Sequence, residues 1–159
     1  MVSTMQRLRF RIALWCWARL VPLLAYRRDV QSLLALTAPT ARKPYSGLAA
    51  AYVAKRVKRA GRKLWFMRDR HCLRDGVLGF RFLRLAGFEP ELHFGIDRES
   101  VTKSRLSAHC WLVLDNVTLL NPPGPNLVEM LIYRSGPGGT TLLQGNSTLG
   151  PDTNRIAIS

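Results

Sequence analysis

Apolar positions in this chain recur at helical spacing up to about residue 86 and at strand spacing after it. Residues 8–36 read as one or two helices with a break near Pro22, because proline lacks the N–H that the helix ladder needs. A turn-rich stretch with Pro39 and Pro44 runs from Thr37 to Gly47. Residues 48–66 read as a surface helix, with Val53, Val57, Ala60 and Leu64 on one face and Lys55, Arg56, Lys58, Arg59, Arg62 and Lys63 on the other. Met67 to His71 is a short polar connection.

The next helix is predicted to start at or beside Cys72 and to run to about Ala86, with Gly87 as its stop signal. Arg74, Arg81 and Arg84 form one narrow polar stripe on it. Leu73, Val77, Leu78, Phe80, Phe82, Leu83 and Leu85 cover most of the rest, so this helix is expected to be buried on most sides. Cys72, Gly76, Gly79 and Leu83 fall in one line along it. Each glycine costs roughly 1 kcal/mol of helix propensity relative to alanine. Close approach of another backbone, such as a sheet edge carrying a catalytic partner, would explain the pair.

Glu89 to Ile96 then alternates as a strand, with Leu92, Phe94 and Ile96 on one side and His93 on the other, where it is expected to face solvent. Residues 97–106 form a charged loop. Ser107 to Leu114 is a second strand, Asp115-Asn116 a turn signal and Val117 to Asn121 a third strand. After Pro122-Pro123-Gly124-Pro125 the chain contains Gly136-Pro137-Gly138-Gly139 and Gly150-Pro151, and only a few short strands or loops with little chemistry are expected there. Helices first and strands afterwards give an α+β fold.

Charge divides the chain differently. The formal net charge is +14, yet residues 1–72 carry 16 Lys and Arg against two acids, Asp29 and Asp69, while residues 73–159 carry eight of each sign. The whole excess precedes Cys72, as if a basic docking region were joined to a neutral chemical module. We therefore divide the chain at 1–45, a helical, basic, partner-docking segment, and 46–159, the chemical domain. Such a region attracts anionic partners: acidic peptides, anionic lipid or nucleic acid.

The amino-terminal apolar run is interrupted by Arg19 and followed by Arg27-Arg28. It falls short of the roughly 20 residues a spanning helix requires. A cytosolic amphipathic helix is the reading, with weak interfacial membrane contact through Trp15 and Trp17 as its alternative. Three cysteines, an odd count without paired spacing, argue against a disulfide framework and for a reducing, cytoplasmic setting. No CxxC or HExxH motif occurs, and neither a metal nor a cofactor is expected.

Cys72 is the candidate nucleophile. The start of a helix favours thiolate over thiol, and its free N–H groups stabilise an oxyanion. A thiol nucleophile needs a histidine base and a group behind it. His71 adjoins Cys72 and turns back onto the thiol with difficulty, so His109, at the start of a strand, is the better base. Cys16 and Cys110 are read as core residues, and Trp111 as packing beneath the site.

Cys72-Leu73 heading an apolar helix that closes on Gly87, then Glu91-Leu92-His93-Phe94-Gly95-Ile96, then Ala108-His109-Cys110-Trp111, resembles the transglutaminase-like, papain-like cysteine peptidases of lasso-peptide biosynthesis. The likeness spans about residues 48–123. Family members show a Cys-Leu helix, a strand ending in a Gly-Val type pair and a His-Ala-Trp strand; here the third element is altered to His109-Cys110-Trp111. The resemblance implies a Cys-bearing helix packed on a small antiparallel sheet that bears His, with helices before it. It also implies an endopeptidase that cuts the leader from a ribosomally made precursor. A separate small leader-recognition protein would deliver that leader, and an ATP-dependent macrolactam cyclase would act next; nucleic acid is not expected among the partners. The same site could carry transamidation or deamidation instead, and a basic adaptor that binds RNA or membrane and has lost activity is the non-enzymatic alternative.

The family places an Asp on the strand after the histidine. Asp115 lies six residues beyond His109, roughly 20 Å along a strand at about 3.3 Å per residue. Asn121 is the better candidate: if Asp115-Asn116-Val117 forms a three-residue loop, Asn121 lies opposite Trp111 and diagonally next to His109. A strict two-residue loop would put it on the other face. The expected catalytic set is Cys72, His109 and Asn121.

Overall fold

The computed structural model describes residues 3–27, 33–34, 42–62, 70–100, 107–136 and 139–144. The expectations for Leu64, for the Met67–Asp69 connection, for most of the 97–106 loop and for Gly150-Pro151 lie outside them. Among the described residues, three long helices precede a five-stranded sheet. These are α1 (Thr4–Arg27), α2 (Ala50–Arg62), α3 (His71–Leu85), β1 (Glu91–Asp97), β2 (Ala108–Leu114), β3 (Val117–Leu120), β4 (Leu127–Gly136) and β5 (Gly139–Gln144). The sheet order is β3-β2-β1-β4-β5, with every neighbouring pair antiparallel. The fold is α+β: the Cys72 helix lies on a small antiparallel sheet that carries His109.

Helix α1 starts at Ser3, whose hydroxyl accepts from the Gln6 N–H at 3.4 Å. It does not break at Pro22 but runs on to Arg27. Val21 and Pro22 are both buried, and tertiary packing outweighs the one lost ladder bond. Phe10, Leu14, Ala18 and Val21 face inward and share one core with Phe82 of α3 and Val53 and Val57 of α2. Phe10 meets Tyr45 and Phe82 edge to face, both at 5.5 Å between ring centres.

Helix α3 ends as its sequence suggests. Gly87 takes φ +97, its N–H bonds to the Arg84 carbonyl, and the Phe88 N–H reaches back to Leu83. The glycine line faces the sheet. A Cβ on Gly76 would stand 2.9 Å from Leu92 Cδ1 and 3.1 Å from Cys110 Sγ. On Gly79 it would stand 2.6 Å from Leu120 Cδ1 and 2.8 Å from Leu112 Cδ2. The predicted arginine stripe is not a solvated one. Arg74 is buried and pairs with Asp75 at 3.0 Å, and Gly61 of α2 leaves room for that pair. Arg81 lies over the Trp17 ring at 3.9 Å, joining α3 to α1.

Two strand expectations change. The carboxy-terminal region supplies β4, ten residues long and paired with β1 inside the sheet. His93 is buried rather than solvent-facing. Its Nδ1 lies 2.6 Å from Glu129 of β4, its Nε2 3.0 Å from Glu91, and its ring packs on Trp111 at 5.5 Å. The opposite side of its strand therefore carries a partly buried polar cluster. Cys16 also departs from its expected core position: it is exposed on α1.

Candidate active site

Three element ends converge: the start of α3, the start of β2 and the end of β3. Cys72 is the second residue of α3, and the Arg70 side chain makes no capping bond to the first turn. Cys72 is half-buried. Its thiol is lowered from an ordinary value of 9.0 to about 5, chiefly by a hydrogen bond from the Cys110 thiol, against the opposing effect of burial, with His109 and His71 adding smaller electrostatic help. Cys110 moves the other way, pushed far up by the same bond and by burial. The physical sense of the pair is clear: Cys110 is 2% exposed and stays a thiol, while Cys72, partly open at a helix start, takes the charge.

His109 stands at the second position of β2, stacked on Trp111 at 6.4 Å. Its Nε2 lies 3.1 Å from the main-chain carbonyl of Asn121. A carbonyl only accepts, so Nε2 carries the proton there, and the lone pair of a neutral ring falls on Nδ1. The Asn121 side chain points elsewhere: its amide donates to the main-chain carbonyl of Cys72 at 3.0 Å. Asn121 thus stands behind the imidazole by its backbone, not by the side-chain amide that the sequence led us to expect, and it ties the hairpin to the head of α3. Its φ of 52 is left-handed, a region asparagine tolerates better than most residues.

The hairpin reaches this arrangement by an unexpected route. Its loop has two residues, Asp115 and Asn116, both with positive φ as a type I′ turn requires. Alone that would place Asn121 on the wrong face. The ladder shifts, however, between Val113↔Thr118 and Leu112↔Leu120, leaving Leu119 as the additional residue. One step further, Asn121 falls across from Trp111. Asp115 remains exposed in the turn and makes no contact with His109.

Gly95 acquires a reason. It pairs with His109 in the β1–β2 ladder and marks the irregularity between β1 and β4. A Cβ there would lie 2.7 Å from the Val128 carbonyl and 3.0 Å from the Trp111 ring. The residues that sequence reasoning passed over are Asp75, Cys110 as a thiol donor, and Glu129 behind His93. Asp75 sits one turn beyond Cys72, and burial raises its carboxyl against the pull of Arg74. Its i+3 spacing from Cys72 was the available signal. An open groove at the start of α1, lined by Ser3, Met5, Gln6, Arg9, Pro44 and Tyr45, brings none of the three candidate residues into its wall.

No helix among the described residues is long and apolar enough to cross a membrane. No curated protein and no solved structure matches the chain. A model of the transglutaminase-like superfamily matches residues 13–128, from within α1 to the start of β4, and takes in Cys72, His109 and Asn121: the chain belongs to the transglutaminase-like superfamily.

Proposed function

We propose that this chain is a cytoplasmic cysteine endopeptidase that removes the leader from a ribosomally made lasso-peptide precursor, working with a separate leader-recognition protein. The observation that carries the reading is the Cys72 thiol, held down to about 5 at the start of α3 beside Cys110 and His109. A group so poised is a nucleophile at neutral pH. Membership of the transglutaminase-like superfamily supports cysteine peptidase or acyltransferase chemistry. The lasso-peptide assignment rests on the Cys72-Leu73, Gly95-Ile96 and His109-Cys110-Trp111 elements.

In this mechanism the Cys72 sulfur attacks the carbonyl after the last leader residue. The oxyanion is met by main-chain N–H groups of the first α3 turn. His109, oriented through Nε2 by the Asn121 carbonyl, holds the thiol proton on Nδ1 and passes it to the leaving amine. His109 then takes a proton from water as that water attacks the thioester. The leader leaves as a carboxylic acid, and Cys72 is expelled as the thiolate beside the protonated His109 ring, the state in which the cycle began. Asn121 provides orientation without a negative charge, so the imidazolium gains less than an aspartate would give it.

The test is incubation of the purified chain with a lasso-type precursor and its recognition protein, read by mass spectrometry. Two shortened products, absent with Cys72→Ala, are expected. A crosslink or a one-dalton shift would instead assign transamidation or deamidation to the same site. Cleavage that survives Cys72→Ala would remove the reading altogether.

A further inference from the structure

Helix α1 is apolar on two sides. Its inner side is in the core, and its outer side carries Met5 (64% exposed), Leu8 (50%), Ile12 (56%), Trp15 (56%), Leu20 (41%) and Leu23 (66%). These are six of the eight exposed large apolar residues among the described residues, so the exposure is concentrated rather than scattered. At 100° per residue they occupy one sector of the helix, together with exposed Cys16, Arg9 and Arg19. Arg11 lies beside the sector, Arg7 lies on the packed side of the helix, and Thr4–Arg27 contains no acid.

A helical partner fits this face poorly. Met5, Leu8, Ile12 and Trp15 follow the 3-4 spacing of a coiled-coil seam, but the next two seam positions are Arg19 and Pro22. That leaves about two heptads, where a stable seam takes three or more. Arg9 and Arg19 are also interleaved with the apolar residues instead of segregated from them. A lipid interface suits this, because arginine stems lie along apolar surface while their heads reach phosphate. Arg19 already stacks on Trp15 at 3.5 Å, an aromatic–cation pair of the kind favoured at headgroup depth.

Arg7 of α1 and Arg56 of α2 share the Tyr52 ring at 6.0 and 5.3 Å on the packed side of α1, so the charge that belongs to the outer face is that of Arg9, Arg11 and Arg19. We propose that the outer face of α1 docks flat on an anionic lipid bilayer, with Met5, Leu8, Ile12, Trp15 and Leu23 entering the interface and Arg9, Arg11 and Arg19 meeting lipid phosphate. Trp17, partly buried under Arg81, takes no part in this contact.

Co-sedimentation of the full chain with phosphatidylcholine vesicles, alone or mixed with phosphatidylglycerol, tests this. Binding is expected only to the mixed vesicles and is expected to weaken with salt. Trp15 emission should move to shorter wavelength on binding, a change absent in Trp15→Phe. The triple variant Leu8→Gln/Ile12→Gln/Leu23→Gln alters exposed positions only. It should keep its circular dichroism while its vesicle partition falls at least about tenfold. No binding to mixed vesicles, or binding unchanged in the triple variant, overturns the proposal. So does a dimer that the triple variant dissolves in the absence of vesicle binding, since a second copy would then be the occupant. The measurement reads no catalysis, so its failure leaves the peptidase reading untouched.

Discussion

Cys110 occupies the position where the family that the sequence resembles carries alanine, and it is buried against Cys72. Its thiol donates to Cys72, and that bond is the largest influence on Cys72. Loss of the donor moves the half-point for thiolate formation upward. In the native chain the thiolate is present above about pH 5 and is lost as the pH falls through that value. In Cys110→Ala the same transition should lie higher by about one unit or more. Alkylation of Cys72 by iodoacetamide across pH reads this directly, with Cys16→Ser in both proteins to remove the exposed competitor. An unchanged midpoint would mean that the helix start and the histidines alone hold the charge. At this scale the place of Cys72 at the head of α3 was legible in the sequence, because a cysteine just before an apolar helical run is a local pattern. The donor was not, because Cys110 meets Cys72 only when α3 is laid on β2.

Elements show the same division. The ends of α3 and the Asp115-Asn116 turn follow from nearby residues: a glycine after the last apolar position and two residues that tolerate positive φ. The bulge at Leu119 does not follow from them, since the ladder shift answers to packing of Leu120 under Gly79 and not to the turn. Nor does the interior place of β4 between β1 and β5, where Glu129 of β4 meets a histidine 36 residues earlier in the chain. Gly95 lies where these elements meet. In Gly95→Ala the new methyl must displace either the Val128 main chain or the Trp111 ring on which His109 stacks. Overpacking of this kind costs about 1–3 kcal/mol. Chemical denaturation should register that loss, and turnover of a cleavable peptide should fall more than substrate binding, because the displaced ring supports the base. A fully stable variant would show that β1 and β4 part easily.

For the whole molecule, the basic half and the chemical half are distinct in charge but continuous in packing. Phe10 of α1 is 0% exposed and touches Tyr45, Tyr52 and Phe82. Phe10→Ala is expected to lower the stability of the entire chain by about 3–5 kcal/mol, in a single transition. If α1 were only a docking appendage, the main unfolding transition of this variant would coincide with that of the native chain. The charge map of the sequence divides the chain by charge alone. It carried no information about the inner side of α1, whose apolar residues balance those on its outer side and so hide the usual amphipathic signature.

Asn121 also narrows the alphabet open to its position. A left-handed backbone at φ 52 admits glycine, asparagine and aspartate with least strain. A donor to the Cys72 carbonyl admits asparagine and glutamine but not aspartate, whose carboxylate would face another acceptor. Only asparagine belongs to both sets. The aspartate that the resemblance leads one to look for has therefore no vacancy at residue 121 unless the hairpin and the head of α3 are uncoupled first. In a lineage of such proteins, an exchange of Asn for Asp here would have to travel with a second change at the start of the helix.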